Sequence, residues 1–219
     1  MSAQSVKKYL PNVNICLFHG YEDNLVKQVD CSVFTQIKKL ELPNDISSNF
    51  NGNMSGFLAK LYAILESPYE KTLFLDTDTE IKKPISGMFK LLDKFDIALA
   101  PGPMTQPPLD GDDIMNEVPI EFPELNTGVI LYKKTNKMIN FLNNWKDVFL
   151  NNKNGLYRKH GKGGEQVALR YLLWSEENIR LYIFSTTGMP NMYNFRWGPV
   201  SKEFKFNNRV IIHHTRYRK

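Results

Sequence analysis

The segment Leu73-Phe74-Leu75-Asp76-Thr77-Asp78-Thr79-Glu80-Ile81 constrains this chain more than any other. An apolar run climbs into two aspartates one residue apart, and the chain turns polar at Lys82-Lys83-Pro84. Such a run reads as a short buried strand with two carboxylates at its C-terminal edge, the edge where open α/β sheets place their ligands. On an extended strand residues i and i+2 share a face, so Asp76 and Asp78 are expected to reach one cation, directly or through water. Carboxylates this close repel each other unless a proton or a cation stands between them. Oxygen donors suit Mg²⁺, Ca²⁺ or Mn²⁺, and an added imidazole favours Mn²⁺. The plainer alternative is an acidic strand end that caps a turn.

The rest of the pattern alternates strands with helices. Val13 to Phe18 reads as a first strand buried on both faces, with Cys16 as a core thiol, and His19 to Asn24 as the loop leaving it. Asp30 to Leu42 holds a second strand or a short helix, and Ser47 to Asn53 a polar loop. Gly56 to Leu65 carries apolar residues at helical spacing and stops before Ser67-Pro68. A short helix over Met88 to Phe95, a strand over Asp96 to Ala100 and a strand over Asn126 to Tyr132 follow. Between the last two lies a long proline-rich loop, Pro101 to Pro123, of the kind that usually serves a site. Asn136 to Leu150 is an amphipathic helix with Met138, Ile139, Leu142, Trp145 and Phe149 on one side. A helix starts near Glu165 after Gly161 to Gly164, and a last strand runs from Arg209 to Ile212. This order predicts an α/β fold: a central, mostly parallel mixed sheet flanked by helices.

Size and charge narrow the class. A chain of 219 residues suits one large domain or two small ones, and no linker or repeat divides it. One domain over 1–219 is expected, with room for it to be the first of a longer protein. The N-terminal MSAQSVKKYLPN lacks the apolar core of a signal peptide, and no run is long enough for a transmembrane segment. Two cysteines make no disulfide framework. Together these favour a cytoplasmic setting. The net charge of +5 gathers partly at Arg209, Arg216, Arg218 and Lys219. No nucleic-acid motif accompanies that tail, so nucleic acid is not an expected partner, and a phosphorylated small ligand remains open.

Two further features bear on the metal. Val210-Ile211-Ile212 ends in His213-His214, and alternation along a strand lets only one of the two imidazoles face the site. Lys219 lies six residues beyond His213; a cation beside a metal is what a diphosphate needs, although a frayed basic end is the plainer reading.

These pieces together resemble the metal-dependent glycosyltransferases of the GT-A fold, in pattern the retaining group that includes glycogenin and bacterial galactosyltransferases. The resemblance runs from the first strand to Lys219. Leu73 to Asp78 matches that family's hydrophobic-DxD strand end, which binds metal and nucleotide sugar. Lys60-Leu61 matches a basic residue and Leu sixteen positions before the first aspartate. Asn126-Thr127-Gly128 matches a segment facing the donor sugar, and Glu165-Gln166 an acidic residue and Gln that contact it. His213 matches the third metal ligand, with Lys219 as the phosphate-binding lysine; the spacing selects His213 over His214. Departures are Arg216 in place of a common Gly, Glu165 in place of Asp, and no Pro-Trp after Lys219.

The resemblance implies Mn²⁺ (or Mg²⁺) held by Asp76, Asp78 and His213. It implies a nucleotide-sugar donor, a UDP-sugar being favoured, and a glycan or glycoprotein acceptor. Phe18, His19 and Tyr21 would lie near the base or ribose. Lys60, Asp76, Thr77, Asn126, Thr127, Gly128, Arg216 and Lys219 would hold the rest of the donor. Glu165 and Gln166 would act at the reacting sugar. Retention is favoured; an inverting enzyme would need a carboxylate base, for which Glu165, Asp112 and Asp113 are candidates. Two other readings compete. A haloacid-dehalogenase-like phosphatase would use Asp76 as nucleophile, but Thr79 directly follows Asp78 and the motif lies far from the N-terminus. A non-catalytic module would bind sugar nucleotide without transfer.

Overall fold

The computed structural model describes residues 2–20, 30–42, 53–102, 117–151, 164–184, 195–196 and 211–214, with residues 53–55, 195–196 and 213–214 described by their backbone alone. The elements in chain order are α1 (Ser2–Tyr9), β1 (Cys16–His19), β2 (Gln36–Lys39), α2 (Asn53–Leu65), β3 (Lys71–Leu75) and β4 (Thr79–Ile81). A 3₁₀ helix (Ser86–Asp93), β5 (Ile97–Pro101), β6 (Leu125–Lys133), α3 (Asn136–Asn151), α4 (Glu165–Ser175), β7 (Leu181–Ile183), β8 (Phe195–Arg196) and β9 (Ile212–His214) follow.

The central sheet has the order β3-β6-β5-β7. β6 runs antiparallel to both β3 and β5, and β5 runs parallel to β7. Three of the four strands therefore share one direction and β6 alone is reversed. Its inner strands β5 and β6 are buried on both faces, and alternation along them divides the core. Ile97, Leu99, Ile130 and Tyr132 face one cluster, built with Leu58, Leu61 and Ile64 of α2, with Phe141, Trp145 and Phe149 of α3, and with Leu169 of α4. Ala98, Ala100, Val129 and Leu131 face the other, with Val6 of α1, Met88 and Leu92 of the 3₁₀ helix, and Ile81, Ile211 and Ile212. Helices thus cover both faces of a mixed sheet. Tyr132 Oη ties the layers by donating to the carbonyl of Ile64 in the last turn of α2, where helix carbonyls lack partners of their own.

Several expected elements change shape. The first strand is Cys16–His19 rather than Val13 to Phe18, and it is partly exposed throughout, Cys16 included. It pairs in parallel with β2, the strand alternative for the Asp30 to Leu42 segment. The helix expected over Met88 to Phe95 is a 3₁₀ helix two residues earlier. Helix α1 has no counterpart in the sequence reading, because it is only eight residues long and Val6 is its one buried side chain. It lies along β4: Ser5 Oγ accepts from the Ile81 N–H at 2.9 Å, Ser2 Oγ bonds Thr79 Oγ1 at 2.9 Å, and Tyr9 Oη donates to the Lys82 carbonyl. α1 therefore satisfies an edge strand that would otherwise be open.

Candidate functional site

The apolar run ends where the sequence places it, at Leu75. The aspartates, however, do not continue an extended strand. Thr79 N donates to the Asp76 carbonyl at 3.1 Å and Thr79 Oγ1 to the same oxygen at 2.7 Å, so Asp76 to Thr79 form a tight turn into β4. The expected i, i+2 sharing of one strand face is replaced by the geometry of a turn, whose first residue favours an Asp. Asp76 and Asp78 are partly exposed on it and Thr77 is exposed.

The neighbouring segment is shaped by an irregularity. Leu99 pairs with Ile130 but Ala100 pairs with Asn126, so β6 advances four residues while β5 advances one. Thr127, Gly128 and Val129 swell out of that ladder. On the other side the β3–β6 ladder stays regular up to Leu75–Val129, and Asp76 N donates to the Gly128 carbonyl at 2.8 Å. Asn126 Oδ1 accepts from Gly128 N at 3.0 Å and braces the swelling from within. Bulges re-aim side chains at the edges of sheets. Here the bulge brings Thr127 beside Asp76, at the C-terminal ends of β3 and β5.

Helix α4 closes the site. Gly164, at φ 133°, precedes it in a conformation that side chains rarely adopt, and Phe57 of α2 packs against its α-carbon. That sharp entry sets Glu165 and Gln166 in the first turn, where the helix dipole favours a carboxylate. Trp145 of α3 fixes the turn by donating Nε1–H to the Glu165 carbonyl at 2.7 Å.

Lys60 of α2 joins these elements. Its Nζ lies 3.0 Å from Asp76 Oδ1 and 3.2 Å from Glu165 Oε1, and it donates to Thr127 Oγ1 at 3.4 Å. It also stands 5.8 Å from the centre of the Phe74 ring. Burial disfavours its charge, yet the Glu165 and Asp76 carboxylates outweigh that penalty and hold its pKa above the ordinary lysine value. Glu165 is 2% exposed; Oε1 accepts from both Lys60 and Thr127 Oγ1, while among the described residues Oε2 has no hydrogen-bond partner. Beside it, Gln166 Oε1 accepts from Asn126 Nδ2 at 2.9 Å and from Thr127 N at 3.4 Å. Six residues singled out by sequence, Lys60, Asp76, Asn126, Thr127, Glu165 and Gln166, form one bonded network, and Gly128 adjoins it through its backbone.

The other expected site residues are less fully placed. Phe18 and His19 end β1, partly buried, on the parallel ladder with Lys38 and Lys39. The β4–β9 ladder sets His213 opposite Glu80 and His214 opposite Thr79. Tyr21, Asp112, Asp113, Arg216 and Lys219 lie outside the described residues. Among residues whose side chains are described, no three His, Cys, Asp or Glu gather as a metal would need. Sequence reading missed Gly164–Phe57 and Trp145 as supports of Glu165. Trp145 was legible only as a core residue, although a buried indole N–H needs an acceptor.

No protein-family model matches the chain and no curated protein matches it in sequence. Solved structures do. The chain superposes on the galactosyltransferase LgtC, crystallised with donor and acceptor sugar analogues, with a TM-score of 0.56 and 14% identity, over 97% of this chain and 80% of that one. A crystal structure of an LgtC active-site mutant matches with the same TM-score at 13% identity. Mouse xyloside xylosyltransferase 1, in its apo form, matches with a TM-score of 0.53 and 14% identity, over 93% and 84% of the two chains. At this identity the likeness speaks to architecture: the chain has the mixed α/β fold of GT-A glycosyltransferases.

Proposed function

We propose that this chain is a glycosyltransferase that moves a sugar from a nucleoside-diphosphate sugar, a UDP-sugar being favoured, to a glycan or protein-linked acceptor. We further propose that it uses Mn²⁺ (or Mg²⁺), retains the anomeric configuration and forms one domain over 1–219. The observation that carries this reading is the buried Lys60–Glu165–Thr127 network beside Asp76, with Glu165 Oε2 left without a donor among the described residues. A buried carboxylate oxygen without a donor is costly. A hydroxyl of a bound sugar is a group that would satisfy it. Asn126 and Gln166 add an amide pair that can orient a second hydroxyl.

The donor set fits the proposed cation in its chemistry. Asp76 and Asp78 supply hard oxygens on one turn, and the β4–β9 register sets the backbone of His213 opposite Glu80, two residues beyond Asp78. Bound there, the metal would supply charge neutralisation for the departing diphosphate. Lys60 bridges Asp76 and Glu165, with its Nζ 3.0 Å from one carboxylate and 3.2 Å from the other. Attack from the face of departure needs no protein nucleophile, and Glu165 Oε1 is already engaged by Lys60 and Thr127. The fold favours this reading over the phosphatase one, since the neighbours it matches are glycosyltransferases.

Titration calorimetry with UDP and GDP, each with and without Mn²⁺, tests it. UDP is expected to bind, and to weaken about tenfold or more when the metal is chelated. Absence of binding by either nucleotide with Mn²⁺ or Mg²⁺ would overturn the proposal.

A further inference from the structure

Arg170 has no role in the network above, yet it is 1% exposed. It stands on α4 four residues after Gln166, on the same helix face. Its Nε donates to the Phe122 carbonyl and its Nη2 to the Pro119 carbonyl, both at 2.8 Å. Burial pulls its pKa below the ordinary arginine value, with nearby Glu124 opposing, and among the described residues Nη1 has no hydrogen-bond partner. An apolar side chain of similar volume would fill this space without the desolvation cost of a cation. What the planar guanidinium adds is direction: it fixes two carbonyls at once.

Those carbonyls belong to the stretch that leads into the site. Gly102 N donates to the Glu124 carbonyl at 2.7 Å, and the next residues are Leu125, Asn126 and Thr127. One face of α4 therefore stitches this chain twice. Arg170 holds Pro119 and Phe122, and Gln166, one turn earlier, holds Asn126 and Thr127. If the first stitch is lost, residues 119–122 lose their tie to α4, and the register at Asn126 rests more heavily on the bond of Gly102 N to the Glu124 carbonyl and on the β6 ladder. The ladder with β5 holds there by two pairs, Pro101–Leu125 and Ala100–Asn126, before the bulge interrupts it.

We infer that Arg170 is a positioning residue for the donor sugar, fixing where Asn126 meets Gln166 by clamping residues 119–124 to α4. The inference rests on the donor site proposed above. It makes a selective statement: Arg170 matters for the contribution of the sugar and not for that of the nucleotide.

The test compares wild type, Arg170→Gln and Arg170→Lys, with Mn²⁺ present, for binding of UDP and of UDP-glucose, UDP-galactose and UDP-xylose. In Arg170→Gln the affinity gained from the preferred sugar over UDP alone should fall about tenfold, with UDP itself unchanged. Arg170→Lys, which keeps the charge but cannot fork to two carbonyls, should lose part of that gain and serves if the Gln variant folds poorly. Hydrogen exchange should quicken in peptides over 117–128 in both variants and not in α3. Equal weakening of UDP and UDP-sugar, an unchanged sugar gain, or unchanged exchange over 117–128 would overturn the inference. A wild type that binds no UDP would instead sink the proposed function, and the inference with it.

Discussion

Replacing Lys60 with Met deletes one ammonium, which stands 5.8 Å from the centre of the Phe74 ring, and keeps most of the stem. The cost follows from what is stranded. The Glu165 side chain is 3% exposed, and its carboxylate loses a cation 3.2 Å away, keeping among the described residues only the Thr127 hydroxyl as a side-chain donor. Breaking a buried pair by removing one partner costs about 3–5 kcal/mol. Asp76, 24% exposed, can turn to water and adds less, about 0–1 kcal/mol. The lost desolvation penalty of Lys60 itself offsets part of this, so a destabilisation of about 3 kcal/mol is expected. For a chain of this length that lowers Tm by about 6–12 °C. Denaturant unfolding of wild type, Lys60→Met, Glu165→Gln and the double variant gives the coupling directly. The double variant strands no buried charge, leaving only the partly exposed Asp76 without the Lys60 cation, and should recover at least half of the loss. A Lys60→Met variant within about 1 kcal/mol of wild type, or a double variant no more stable than the single, would refute the network as the pillar of this site.

Burial raises the Asp96 pKa, but hydrogen bonds from Arg180 and Lys137 prevail and lower it to about 2. The folded value lies below the unfolded one, so its stabilisation is present above about pH 4 and fades as pH falls toward 2. Discounted for its two exposed partners, the effect is about 1–2 kcal/mol, seen as a flatter stability-versus-pH curve for Asp96→Asn below pH 5. Gly164→Ala forces a side chain into φ 133° and sets its Cβ 3.0 Å from the Phe57 ring. It should cost about 1–3 kcal/mol by thermal unfolding, and an unchanged Tm would show that the entry to α4 is not strained as described.

The legible parts of the fold were those carried by long apolar patterns. β6 and α3 lie within a residue or two of the expected bounds, because nine residues of almost continuous burial and sixteen residues with one apolar face carry the pattern. The three-residue strands β4 and β7 are too short for a period, and α1 is held by serine hydroxyls rather than an apolar face. At the site, the strand pattern pointed to Asp76 and the resemblance to GT-A glycosyltransferases to Lys60, Asn126, Thr127, Glu165 and Gln166, which the fold bonds together. Sequence did not carry the turn at Asp76–Thr79, which a side-chain hydroxyl stabilises, or the bulge at Thr127–Val129, which depends on pairing with two different strands. Arg170 was silent because its partners are backbone carbonyls, which any sequence supplies.

The central claim is tested most directly by turnover. With Mn²⁺ and a panel of UDP- and GDP-sugars, release of nucleoside diphosphate is measured for wild type and for Asp78→Ala, a substitution in a partly exposed turn that leaves the core untouched. At least one sugar nucleotide should be turned over or hydrolysed by wild type, with the release abolished by chelation and in Asp78→Ala while the variant stays folded. No release from any donor, or full activity of Asp78→Ala under added metal, would contradict the assignment.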